Sequence, residues 1–400
     1  MIHPLWILGV WAAFLIALPC CTPANNSAPI SNSYGSQSKN SGLPTPSPIN
    51  TFPAVPEILP KPPILGDAFN AVIVLSPEIS EPQIRVLIVP EQTAVPHVNA
   101  DLYRGKVLID RLEDGKFIAL NVLPIEDYLA GVLSRELYGD WRPAAYSAQA
   151  IAARTYALYQ IATFGRNNAW DVFGTLTSQV YGGKNAETAR AWHAVTATRG
   201  LVLYTSQYGV TGIFCAYYSS SDGGASQSAS DAWGDQPLTA LQAQSTGTLD
   251  AASPEFSWPP ITITKAEITQ VVDWWGLKNK LPYLTELGPI ASVNISQKNP
   301  LTGRPQIITL TDIYGHVGEM RAEEFRLALL MYPLHNAPIP PSSFFDVQDE
   351  GSSIELINGR GHGHGVGMSQ WGAEEMALRG MSDQEILSFY YPNSWIHKQW

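Results

Sequence analysis

Residues 22 to 64 carry so much Pro, Ser, Asn and Thr that no compact element can form there, and this divides the chain before any motif is read. The run Pro44-Thr45-Pro46-Ser47-Pro48 is typical of the stretch. Such a composition buries too little apolar surface to offset the entropy of ordering it. It reads as a disordered, flexible tether. Before it, Leu5 to Leu18 is an almost unbroken apolar run, closed by Pro19-Cys20-Cys21. That length fits the core of an export signal and falls short of the about 20 residues a membrane span needs. Residues 1–21 are therefore expected to be a signal peptide. Residues 18–21 are similar to a lipobox with Cys21 as the lipid-anchored residue, although an ordinary cleaved signal or an uncleaved anchor fits the same text. The folded body is expected over 65–400.

Charge narrows the partners. The formal net charge is −11, with 24 Lys and Arg against 35 Asp and Glu. A nucleic acid is excluded as partner, because nothing would neutralise its phosphates. Electrostatic attraction to an anionic lipid surface is disfavoured for the same reason. A polysaccharide needs no positive field, and the 12 Trp and 17 Tyr supply the surfaces that sugars use. Cys215 is the only cysteine in the body, so neither a disulfide framework nor a cysteine-based zinc site is expected.

Strand-like and helix-like text alternate irregularly, which predicts an α+β body with a mixed sheet and several helices. Residues 71–75, 84–89, 107–109 and 117–122 are β-branched runs, and Glu113-Asp114-Gly115-Lys116 is a hairpin signal. Helices are predicted over 125–137, over 144–164 behind Pro143, and over 186–198 with Gly200 past the end. Strands resume at 201–204, 212–218 and 307–310. A helix over 369–379 follows the glycine-rich run 359–367, and Ser382 with Glu385 has capping-box spacing for a last helix.

On the first helix, at about 100° per residue, Leu129, Val132 and Leu133 share one face. Glu136 lies on that same apolar stripe, Glu126 on its flank, and Asp127 well away. A carboxyl among apolar neighbours resists ionisation, and a Glu held protonated can give its proton to a leaving oxygen. Spacing alone leaves a bland alternative open, an ion pair with Arg135 or Arg142.

Three further places draw attention. In residues 359–367 Gly alternates with larger residues, so that in extended geometry His362 and His364 would share a face. His364 is a candidate wall of the cleft, or part of a tight packing corner; two His at this spacing with no third ligand are a weak metal signal, and no metal or cofactor is expected. The strand ending at Tyr218 runs into Ser220, Ser221, Asp222, Gly223 and Gly224, a plausible sugar-contact turn, with Asp231 close behind. Gln149 and Arg154, amid Ala and Ile on the second helix, need partners if buried. They either line a site or form a structural network.

Four stretches in order carry a resemblance: residues 123–132 with Glu136 after them, residues 148–157, residues 218–233, and residues 359–373, which include Gln370. Over about 70–400 the chain resembles the SpoIID/LytB family, the stage II sporulation protein D and amidase-enhancer proteins. The resemblance implies a single SpoIID-like domain over 65–400 and a lytic transglycosylase acting on peptidoglycan strands stripped of stem peptides. It places the catalytic Glu at Glu136, with Gln370 added to the candidate substrate contacts. The alternative it implies is a non-catalytic glycan-binding protein that stimulates a cell-wall amidase, which would then be a partner. This chain departs from the family in reading Arg135-Glu136-Leu137 where Ser-Glu-Met is common. The cysteine-containing metal site of some members has no counterpart here.

Overall fold

The computed structural model describes residues 64–65, 72–76, 80–175, 177–333 and 338–400. The expected export signal, Cys21 and all of the tether but its last residue lie outside the described residues.

The body is α+β and opens with a four-stranded sheet. Gln83–Gln92 lies between Phe117–Pro124 and Val172–Phe173, and Lys106–Arg111 forms the far edge. The predicted hairpin turn is there, with Gly115 at φ +84°. Helix α1 (Ile125–Glu136) leaves the sheet directly at Pro124, whose strand-like backbone ends where the helix begins. The apolar stripe read from the sequence is the buried face: Leu129, Val132 and Leu133 are fully inaccessible. Helix α2 (Pro143–Ala162) begins with the expected proline. Its alanines let α1, α3 (Ala189–Ala197) and two C-terminal helices approach closely, so nearly every residue of α2 is buried.

Leu201–Gln207 then sits between Val210–Ile213 and the last strand, Ser394–Lys398, which ties the chain's end into the first core. The expected strand over 212–218 is broken. It ends at Ile213, and a second short strand, Tyr218–Ser219, pairs in parallel with Met368–Ser369. The break turns the chain out of one sheet and toward the glycine-rich loop. Helix α4 (Ala229–Trp233) follows.

A second hydrophobic core occupies the middle of the C-terminal half. Ser257–Trp258 pairs with Gly359–Arg360, and this two-stranded neck encloses everything between. Inside are Ile261–Thr264, α5 (Lys265–Asn279), α6 (Pro282–Thr285), the meander Ile290–Lys298, Pro305–Asp312 and Val317–Arg321, α7 (Ala322–Met331), and the hairpin of Asp346–Asp349 with Ser353–Ile357. Thr264 caps α5, and Ile268, Val271, Val272 and Trp275 form its buried stripe. The lobe buries its own residues, including Ile308, Leu310, Phe325 and Ile354. After the neck the chain returns to the first core through α8 (Gln370–Leu378), capped by Ser369, and α9 (Asp383–Tyr390), which has the predicted capping box.

Candidate functional site

Glu136 is the last residue of α1, and it stands where three separate segments meet. Its Oε1 accepts the Val180 N–H at 3.0 Å and its Oε2 accepts Nε2 of Gln370 at 3.1 Å. Burial of the carboxyl raises its pKa to about 7, against the two hydrogen bonds that favour the charged form. Desolvation wins because neither donor carries a charge. The carboxyl is buried, while the residue as a whole stays partly open to solvent. Neither Arg135 nor Arg142 pairs with it among the described residues; Arg142 instead gives its backbone N–H to Glu374, at 2.7 Å.

Phenols surround the carboxyl. Tyr128, Tyr156 and Tyr218 all have raised pKa values, through burial first and then in part through the charge of Glu136 nearby. Gln179 links two of them: the Tyr128 hydroxyl donates to its Oε1 at 2.9 Å, and its Nε2 donates to the Tyr218 hydroxyl at 2.7 Å.

Arg154 lies on α2, two residues before Tyr156. It is wholly buried and forks onto Glu126 through Nε at 3.1 Å and Nη2 at 2.6 Å, while Nη1 donates to the Leu201 carbonyl at 3.0 Å. Glu126 also accepts the Gly200 N–H at 2.9 Å. The pair joins α1, α2 and the strand that begins at Leu201. Burial depresses the pKa of Arg154, and Glu126 opposes that. Gln149 is equally buried, and neither end of its amide meets a partner among the described residues. Seven residues before Tyr156, it shares that residue's face of α2.

The serine-glycine turn is built from inside. Ser221 Oγ donates to Asp250 at 2.5 Å, and the same carboxylate oxygen accepts the Gly223 N–H at 2.9 Å. Asp222 accepts the Gly224 N–H at 2.9 Å and the Thr246 hydroxyl at 2.7 Å. Burial, then the neighbouring Asp250, pushes the Asp222 carboxyl well above the usual range. Both glycines have positive φ, +69° and +93°. Ser220 alone among residues 218–223 is only partly buried, so it is the turn's open side chain. Asp231 is engaged elsewhere: Gln306 donates to one carboxylate oxygen at 2.8 Å and Asn299 to the other at 2.9 Å, both from the inserted lobe.

The glycine-histidine loop is not extended, which corrects the expectation that its histidines share a face. Gly361, Gly363, Gly365 and Gly367 all have positive φ, from +68° to +92°, so the chain coils rather than alternates. His362 meets Glu255. His364 accepts the Val366 N–H on Nδ1 at 3.0 Å and bonds the Tyr218 backbone, with its ring against Trp233 at 5.2 Å and Tyr217 at 5.8 Å. Burial lowers its pKa to about 4, so it is neutral at pH 7 and props the Tyr218 strand.

Gln179 and Arg304 carry no signal in the sequence, and Glu126 is named there only for its place beside the stripe. Arg304, in the turn of the inserted lobe's meander, donates to the carbonyls of Asp222 at 3.1 Å and Ala225 at 2.8 Å. Only the position of Glu126 on the flank of the α1 stripe gave any signal. Among the described residues no group of three or more His, Cys, Asp or Glu could hold a metal. Cys215 faces the Gln160 amide at 3.7 Å, an environment that does not fit a zinc ligand.

Residues 113–204, which hold Glu136 and the Glu126–Arg154 pair, match the family described as stage II sporulation protein. An uncharacterised protein of Brachyspira hyodysenteriae is 31% identical over 299 residues, covering 74% of this chain and 72% of the relative. The chain belongs to the SpoIID/LytB family. This SpoIID/LytB member is also 30% identical to the amidase enhancer of Bacillus subtilis over 66% of its own length, and it spans 40% of that larger protein. It is 28% identical to stage II sporulation protein D of the same bacterium, over 68% of this chain and 74% of the relative.

Proposed function

We infer that this SpoIID/LytB member is an exported lytic transglycosylase of peptidoglycan, with Glu136 as its acid and base. The observation that carries the reading is the carboxyl of Glu136, held near pKa 7 by burial, in a residue that is only partly buried as a whole. An ordinary glycosidase needs two carboxylates, one to activate water or form a covalent intermediate. A transglycosylase needs one, because the substrate brings its own nucleophile.

Protonated Glu136 gives its proton to the oxygen bridging N-acetylmuramic acid to N-acetylglucosamine, and the bond from that oxygen to the muramyl anomeric carbon breaks. The muramyl 6-hydroxyl then bonds to the anomeric carbon and returns its proton to the Glu136 carboxylate. The products are a free 4-hydroxyl and a 1,6-anhydro end, with no water consumed. The intramolecular hydroxyl attacks at high effective molarity. Gln370 and the Val180 N–H hold the carboxylate formed between the two steps. Ser220 is the open polar contact at the turn. Asp222 and Asp231 are occupied by Thr246 and by the inserted lobe, so neither is assigned to the developing oxocarbenium charge.

The 30% identity to an amidase enhancer favours a second reading, a glycan-binding protein that stimulates a separate amidase. Incubating the purified protein with peptidoglycan, with and without stem peptides, separates the two. Release of 1,6-anhydro ends, seen by mass spectrometry, supports the first. Their absence from both substrates leaves the second.

A further inference from the structure

Three aromatic rings gather on the two segments that follow Glu136 and its partner Gln370. Tyr138 follows Glu136 by two residues, just past the end of α1. Its ring lies 5.3 Å from that of Trp141 and 5.4 Å from that of Trp371, and Trp141 lies 5.1 Å from Trp371. Trp371 comes from the far end of the sequence. It follows Gln370, whose side-chain amide holds the Glu136 carboxyl, and its backbone N–H donates to the Ser220 carbonyl at 3.1 Å. The backbone of Trp371 is thereby tied to the serine-glycine turn, directly after the residue that holds the carboxyl. One turn further along α8, Glu374 accepts the Arg142 N–H and clamps the two segments again.

Trp141 is buried, while Tyr138 and Trp371 are only partly covered. A buried ring thus backs two partly open ones. Trp141 and Trp371 meet edge to face at 68°, while Tyr138 is tilted against Trp371 at 56° and against Trp141 at 37°. Partly exposed aromatic side chains offer an apolar surface that a ligand's apolar face can cover. A pyranose with equatorial substituents presents such a face in its ring C–H groups.

We propose that Tyr138 and Trp371, backed by Trp141, form a sugar-binding subsite in which a hexosamine ring of the glycan strand stacks beside the Glu136 carboxyl. The subsite deepens the reading of this chain as a glycan-strand protein and rests on it, yet it requires binding alone and not catalysis. It sets which ring of the strand is held when the carboxyl meets a glycosidic oxygen.

The test uses the E136Q protein, so that binding is measured without turnover. Affinity for purified glycan oligosaccharides lacking stem peptides is measured for E136Q, E136Q/W371A, E136Q/Y138A and E136Q/W371Y. Removal of Trp371 or Tyr138 is expected to weaken binding on the order of tenfold, and W371Y to restore most of it. Far-ultraviolet circular dichroism and the melting transition show whether each variant is folded. If W371A fails to fold, Y138A and W371Y carry the result. Unchanged affinity in the folded variants overturns the subsite. Failure of the parent E136Q protein to bind glycan at all overturns the functional reading together with it, so the two failures are distinguishable.

Discussion

The Gln370 amide reaches the Glu136 carboxyl at 3.1 Å across 234 positions of sequence. One residue ends a helix of the first motif and the other begins a helix of the last. The pairing explains why both ends of the body must be present for the site to exist.

Removing that donor makes the carboxylate harder to hold. Q370L is expected to raise the pKa of Glu136 further and to move the alkaline limb of the activity profile upward by about one pH unit. The rate of anhydro-end release, measured across pH 5 to 9 for both proteins, checks this. An unmoved limb would show that Gln370 does not tune the acid.

The charge on Glu136 also enters stability. Its folded pKa of about 7 lies above the ordinary 4.5, so between these values the folded protein holds a proton that the unfolded chain has released. The stabilising contribution is complete below 4.5 and is lost as pH rises through 7. E136Q removes this titration. Denaturant melts should show the variant gaining on the wild type between pH 5 and 8, by on the order of 1 kcal/mol. Its activity should fall by roughly 100-fold or more.

The buried fork between Arg154 and Glu126 is a different kind of dependence. R154M alone leaves a buried carboxylate without its cation and should cost about 3–5 kcal/mol in urea unfolding. The double variant E126L/R154M should recover most of that. If the single change costs under 1 kcal/mol, the pair is not the strut that joins α1, α2 and the Leu201 strand.

Gly365 has a close neighbour. At φ +68° a Cβ there would collide with the guanidinium of Arg304. G365A is expected to destabilise the protein by about 1–3 kcal/mol and to lower activity by displacing the turn that Arg304 holds. Melting curves and product release, measured together, check both parts.

Gln149 offers the opposite trade. Its buried amide has no partner among the described residues, so Q149M should stabilise the protein by about 1 kcal/mol. If the amide serves the glycan, activity will fall as stability rises. Urea melts beside turnover read the two effects separately.

Much of the first core was legible. The stripe of Leu129, Val132 and Leu133 placed α1 and put Glu136 on its inner face, and Pro143, Gly115 and the Ser382–Glu385 box marked real boundaries. Local chemistry decides such features, so local reading finds them. The pairing of Glu126 with Arg154, and of Gln370 with Glu136, depends on chain crossings that no spacing encodes. The glycine loop misled because alternation suggests a strand, whereas glycine's freedom at positive φ let the chain coil. The second core was missed although Thr264 and the Ile268-to-Trp275 stripe signalled α5. Its enclosure by the short neck at Trp258 and Gly359 is a tertiary fact.

The most direct measurement of the role of Glu136 is digestion of stem-peptide-free glycan strands in water enriched in oxygen-18, with products read by mass spectrometry. The wild type should give 1,6-anhydro ends that carry no label, and E136Q should give almost none. Reducing ends that carry one heavy oxygen would contradict the transglycosylase reading, and unlabelled anhydro ends at full rate from E136Q would contradict the role of Glu136.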